Sequence, residues 1–218
     1  MTKIEVIGLS GKAGSGKDFI AQNILKPLGY HQFSLAWHFK IGLVGESKAS
    51  HEEVFKTKPE HVRRMLQQKG TEQGRDVFGD NVWCNHIKEW FIVLNENWGI
   101  NKFVIPDVRF PNEVEFIQKM DGKVFRIFAP KRVECSPLSQ EARNHISETA
   151  LDHFPKEKFD AIIWNDPIHE DTIDAQIKEA LGYLSSDFNE ILQSIMVEGF
   201  SDIMEKINKE MRDLDYEI

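Results

Sequence analysis

Cysteine is scarce in this chain: only Cys84 and Cys135 occur in 218 residues, too few for a disulfide framework. A reducing cytoplasm is the expected setting. No apolar run approaches the roughly 18 residues of a membrane span. The first residues lack the basic, then apolar, then small-residue order of a signal peptide. Neither membrane insertion nor secretion is therefore expected. Positive charge is also in deficit. The net charge of -8 argues against a nucleic-acid polymer as partner, because phosphate backbones recruit basic surfaces. A small phosphate compound remains open, since it needs only a local basic pocket. Internal repeats and low-complexity stretches are absent too. With 41% hydrophobic residues, the chain can fill one α/β core, so one main domain is expected.

What is present begins with Gly11-Lys12-Ala13-Gly14-Ser15-Gly16-Lys17-Asp18, directly after the apolar run Ile4-Glu5-Val6-Ile7-Gly8-Leu9. Glycines here let consecutive backbone N–H groups converge on phosphate oxygens, which a Cβ would obstruct. Lys17 supplies a mobile positive charge for outer phosphates, and a helix starting there adds its positive dipole end. The next position usually carries Ser or Thr, whose hydroxyl binds Mg²⁺. Here it carries Asp18, followed by Phe19. The plainer alternative is a glycine-rich turn between strand and helix.

Strand and helix patterns alternate along the chain, which predicts an α/β fold with a central parallel sheet and helices on both faces. Strands are expected at 4–9, 31–36, 102–106, 123–128 and 161–165. Ligands of such sheets bind beyond the carboxyl ends of strands, so Asp107 and Arg109 should point toward the glycine loop. A carboxylate at a strand end can hold Mg²⁺ or a sugar hydroxyl, and a nearby arginine can reach a phosphate. Glu113 then falls in the first turn of the next helix, where it either faces the site or complements the helix dipole.

A long helical insert, about 37–98, separates the second and third strands. Within it Val62, Met65 and Leu66 form an apolar face at helical spacing. Arg63 and Gln67 project together on the other side, with Arg64 beside them and Gly70-Thr71 closing the helix. Adjacent arginines can clamp a phosphate with planar forks; a solvated basic face is the alternative. Trp83 shares a stripe with Ile87, Trp90, Phe91 and Leu94, so it either packs in the core or stacks on a base. Cys84 and His86 lack the further ligands a zinc site needs.

Four ordered segments together carry a resemblance: Gly8 through Asp18, Arg63-Arg64-Met65-Leu66-Gln67 with Gly70-Thr71, Pro106-Asp107-Val108-Arg109, and His145-Ile146-Ser147-Glu148. Over about residues 3–184 the chain resembles the deoxynucleoside monophosphate kinases encoded by bacteriophages, a branch of the P-loop kinases. The resemblance implies a three-layer sandwich over 1–185, with 37–98 as acceptor-binding insert and 130–144 as lid. It implies transfer of the ATP γ-phosphoryl group to a deoxynucleoside monophosphate, with Mg²⁺ as cofactor, in the host cytoplasm where the gene is a phage's. Lys17, Asp18, Arg63, Asp107 and Arg109 are then the catalytic candidates, and Asp18 and Asp107 the candidates for Mg²⁺. ATP falls to Gly11, Ala13, Gly14, Ser15, Gly16 and Lys17, joined by Lys131, Arg132 and Arg143 from the lid. The acceptor falls to Lys40, Arg63, Arg64, Gln67, Gly70, Thr71, Trp83, Asp107, Arg109 and Glu113. His145 and Glu148 are expected to cap the following helix.

Two rivals stand beside this reading. A dephospho-coenzyme A kinase has a similar opening loop, but the Arg63-to-Thr71 helix and Pro106-Asp107-Val108-Arg109 favour a nucleotide acceptor. A guanine-specific switch would need an Asn-Lys-x-Asp turn, and Asn101-Lys102-Phe103-Val104 lacks the aspartate. Residues 186–218 form a separate pattern, an amphipathic helical extension from Phe188 to Leu214. Six of the eight net negative charges fall in it, which repels anionic membranes. Its apolar stripe is expected to pack either on the same subunit or in a homodimer contact.

Overall fold

The computed structural model describes residues 2–70 and 74–183. Two compact units divide the chain, Met1–Asp174 and Ala175–Ile218. The expected extension 186–218, and Thr71, lie outside the described residues. Among the described residues no helix is long and apolar enough to cross a membrane.

The first unit is built on five parallel strands in the order β2-β3-β1-β4-β5. They are β1 (Glu5–Ser10), β2 (His31–Gln32), β3 (Lys102–Val108), β4 (Lys123–Phe128) and β5 (Ala161–Trp164). The central strands β1 and β3 are covered on both faces, which is why they read as continuous apolar runs. On one face, α5 (Val82–Trp98) stacks Phe91 on Phe103 of β3, with ring centroids 4.0 Å apart. Beside it α6 (Pro111–Lys119) approaches β1 so closely that a Cβ on Gly8 would lie 2.6 Å from Ile117 Cδ1. α1 (Lys17–Ile20), which continues as a π turn over Ala21–Leu25 and a 3₁₀ turn over Lys26–Leu28, buries Ile20 and Leu25.

Two strand expectations change. The second strand was expected over 31–36 but pairs only at His31 and Gln32. Beyond Phe33 the chain leaves the ladder because the Asp107 carboxylate takes the N–H groups of Leu35 and Ala36 and the Ser34 hydroxyl. The third strand runs past its expected end to Val108. Its register with β1 shifts between Gly8↔Ile105 and Ser10↔Val108, at Pro106, which has no N–H to give the ladder. The shift sets Asp107 and Arg109 at the carboxyl end of the sheet.

The insert carries α2 (Trp37–Gly45), a π turn at Glu53–Thr57, α3 (Glu60–Gly70) and α4 (Asp76–Phe78) before α5. Leu43, Val54 and Val62 form a small buried core of their own, with Met65 and Leu66 packed on it. That core fixes the rotation of α3, and with it which residues of α3 face the sheet. Of the expected α5 stripe, Ile87 and Phe91 are buried, but Trp90 is 47% exposed.

Candidate active site

The glycine loop turns through positive φ at Gly14 and Gly16, both at +88°. A side chain at Gly16 would also run into the Asn165 amide, which donates to the Ser15 carbonyl at 2.8 Å. Asn165 follows β5 and braces the loop; no motif in the sequence marks it for that role. Lys17 lies folded under the loop, its Nζ donating to the carbonyls of Gly11 and Lys12, each at 2.7 Å. Burial, with Arg109 adding to it, lowers the Lys17 ammonium to about 7, against the opposing pull of Glu148 and Asp18.

Asp18 opens α1 and is exposed. Its Oδ2 faces Lys58 Nζ at 3.4 Å, a residue of the insert held in the left-handed region (φ 47°). Asp18 is a candidate for Mg²⁺ from sequence; among the described residues its side-chain partner is Lys58. Asp107, at the end of β3, accepts from the Ser34 hydroxyl at 2.5 Å and from Leu35 N at 3.0 Å. Lys40, on α2, donates to that same Ser34 hydroxyl at 2.9 Å. Burial lowers the Lys40 ammonium, and Asp107 only partly offsets this.

Arg109 and Glu113 are locked by a second network. Glu113 Oε2 accepts from the N–H groups of Arg109 at 2.6 Å and of Phe110, the N-cap of α6, at 3.0 Å. Its Oε1 pairs with Arg75, whose guanidinium lies 4.0 Å over the Phe110 ring. Burial pushes the Glu113 carboxyl up, to about 7, although Arg75 and both backbone donors oppose this. Glu113 thus complements the first turn of α6 and also lines the cavity described below. The Arg109 side chain pairs with Glu148 and donates to the Ser147 carbonyl at 3.2 Å.

These groups enclose one cavity of about 680 Å³ that reaches from the loop to the insert. Lys17, Lys40, Lys58, Arg63, Arg75 and Arg109 bring positive charge to it from six elements and loops, against Asp18, Asp107, Glu113 and Glu148. Farther out, Phe39, Phe55, Leu66 and Trp83 make an apolar wall, with Phe39 and Trp83 packed edge to face at 5.0 Å. Trp83 therefore serves as wall and packing at once. Lys58, Arg75 and Glu148 were not singled out for this cavity from sequence. They come from three separated segments, and no local spacing connects them.

Several expected residues stand elsewhere. Arg63 and Gln67 line the cavity together, four residues apart on α3, but Arg64 points to Glu141 at 3.4 Å. Adjacent helical residues diverge by about 100°, and of the two arginines only Arg63 lines the cavity. Gly70 ends α3. In the expected lid segment, α7 (Pro130–Glu134) and α8 (Gln140–Asn144) are joined by Arg143, which donates to the carbonyls of Val133, Leu138 and Ser136. Arg132 Nε donates to the Asn165 carbonyl at 2.5 Å, and Asp166 takes the Lys131 and Arg132 N–H groups at the start of α7. None of Lys131, Arg132 and Arg143 lines the cavity. His145 does cap α9 (Ile146–Thr149), accepting from Ser147 N at 3.2 Å. Glu148 does not cap it; its carboxylate turns to the glycine loop, Oε2 accepting from Ala13 N at 3.0 Å. Burial works against that charge, yet Arg109, Ala13 N–H and Lys17 hold the carboxyl below the usual range.

A parallel sheet with β3 and β1 at its centre, a glycine loop after β1, and a cation-lined cavity at the carboxyl ends of the strands define a P-loop kinase. The family model for deoxynucleotide monophosphate kinase matches residues 44–176, more than half of the chain, and the chain belongs to that family. The match begins beyond the glycine loop, so loop and family are separate witnesses to an ATP-dependent phosphotransferase. A curated relative from Acanthamoeba polyphaga mimivirus, described as "Putative deoxynucleotide monophosphate kinase", is 29% identical over 143 residues, 57% of this chain and 74% of that protein. Among solved structures, TT1252 from Thermus thermophilus is 17% identical, covers 84% of this chain and 100% of its own, and has a TM-score of 0.51. Dephospho-CoA kinase from Campylobacter jejuni is also 17% identical, covering 85% and 100%, with a TM-score of 0.45.

Proposed function

We propose that this kinase transfers the γ-phosphoryl group of ATP to the 5′-phosphate of a deoxynucleoside monophosphate, giving ADP and the diphosphate. The observation that carries the acceptor assignment is Arg63. It is half-buried, lines the same cavity as the glycine loop, and has no ion-pair partner among the described residues. A guanidinium so placed is a fork for a phosphate arriving from the insert side. The aromatic wall of Phe39, Phe55 and Trp83 lies where a base bound by such a phosphate would rest.

Phosphoryl transfer asks mainly for alignment and charge stabilisation. Lys17 leaves the carbonyls of Gly11 and Lys12 for the outer phosphates of ATP. Arg63 holds the acceptor phosphate, and Arg109, just past the end of β3, stabilises charge on the travelling group. Asp107 fixes the 34–36 turn, and through Ser34 it fixes Lys40. Asp18 would hold Mg²⁺, since it is exposed and, among the described residues, its carboxylate pairs only with Lys58, through one oxygen. When bound, the ion offsets negative charge on the phosphates. The expected lid over 130–144 closes against the loop at Gly14, where a Cβ would meet Ser136 at 3.0 Å, and closure excludes water.

The test is ATP consumption against a panel of deoxy- and ribonucleoside monophosphates and dephospho-coenzyme A. Stimulation by at least one deoxynucleoside monophosphate is expected. Stimulation by dephospho-coenzyme A alone, or by no acceptor, overturns the reading.

A further inference from the structure

We propose that Glu148 stands in for a phosphate: its carboxylate holds Arg109 at the glycine loop, and the terminal phosphoryl group of ATP takes over the Ala13 N–H on arrival. The proposal rests on the ATP-dependent kinase reading and adds to it an internal competitor that also positions an arginine.

The geometry is that of an anion bound to a phosphate site. Glu148 Oε2 accepts from a loop amide, Ala13 N, at 3.0 Å, while Oε1 accepts from the Arg109 guanidinium. The side chain is only 7% exposed. An amide of a glycine loop and an arginine fork are the donors that phosphoryl oxygens use. The fold of α9 does not require this contact, since His145 already caps its first turn.

The segment also stays anchored without the carboxylate. Lys12 Nζ donates to the Glu148 carbonyl at 2.6 Å and pairs with Asp152 at 2.5 Å. The Glu148 side chain can therefore rotate away while its backbone keeps its place. Two anions cannot share one N–H at contact distance, so phosphate arrival expels the carboxylate. Arg109 keeps its tether to the Ser147 carbonyl and turns its freed donors to the phosphoryl group. ATP arrival and delivery of the arginine become one event.

Calorimetry with ATP and with inorganic triphosphate tests this on the full chain. In Glu148→Gln the competitor loses its charge, and both probes should bind at least about tenfold tighter. Asp152→Asn, which touches the same segment but not the loop amide, should leave both affinities within about twofold. Unchanged or weaker probe binding by Glu148→Gln overturns the proposal, while wild-type turnover of ATP keeps the kinase reading intact. Should Glu148→Gln not fold, the wild type is read by NMR: triphosphate must shift the Glu148 side-chain carboxyl carbon together with the Ala13 amide. An unmoved Glu148 signal overturns the proposal equally.

Discussion

Arg75 and Glu113 form an ion pair that is almost completely buried, with side chains 5% and 4% exposed, in the wall of the cavity. Arg75 also donates to the Asp80 carbonyl at 2.8 Å and covers Phe110. The pair ties the insert to the first turn of α6, and Glu113 in turn holds the Arg109 backbone. It is a link between the insert and the sheet's carboxyl edge. Breaking a buried pair leaves a charge without a partner and costs about 3–5 kcal/mol. Arg75→Ala should therefore lower unfolding stability by about 3 kcal/mol or more in denaturant titration. The smaller loss expected of Arg75→Met with Glu113→Gln, which removes both charges, is the check; equal losses would show that packing, not charge, matters there.

Arg63→Lys should not behave as a conservative change, because the planar fork is lost. At saturating ATP, turnover should fall at least about tenfold, and ATP affinity should barely move. Normal kinetics in both Arg63→Lys and Arg63→Ala would return α3 to a solvated basic face.

Lys17 makes ATP binding proton-linked. The ammonium is lowered to about 7, so at pH 8 it is mostly neutral. Phosphates bound beside it favour the charged form and raise that value, so the complex holds more protons than its parts. Binding at pH 8 should take up close to one proton, about what Lys17 lacks, and affinity should decline as pH rises above 7. The nucleotide's own phosphates are ionised at pH 8 and do not contribute. Calorimetry in HEPES and Tris reads the uptake from the difference in heat; equal heats would refute the linkage. Lys17→Arg, which cannot lose its proton in this range, should abolish it.

Asp18→Asn should keep ATP binding, since it removes a negative charge beside phosphates, yet lose roughly 10²-fold in turnover and shift the Mg²⁺ optimum. The structure adds a control, Lys58→Ala. If Asp18 acts through Lys58, the two losses will not add, and the double variant will resemble either single one. Additive losses with an unshifted Mg²⁺ optimum would remove Asp18 from both roles.

The parts of this protein legible in the sequence are those whose physics is local. A strand, a glycine loop and a helix start follow one another within residues 5–20, so the loop can be read without knowing what packs on it. The same holds for Arg63 and Gln67, which share a face because a helix repeats every 3.6 residues. The expected 31–36 strand was misjudged because its ladder competes with Asp107, more than 70 residues away along the chain. Arg64 was misjudged because the direction of α3 is set by the Leu43–Val54–Val62 core.

What only the tertiary structure decided is the pairing of charges across segments. Lys58 meets Asp18, Arg75 meets Glu113, and Glu148 meets Arg109 and the Ala13 amide, each partner from a different element. A buried charge must find a partner, but the sequence does not say which. Parallel crossovers bring the carboxyl ends of distant strands to one edge of the sheet, and there the choice is made by distance alone.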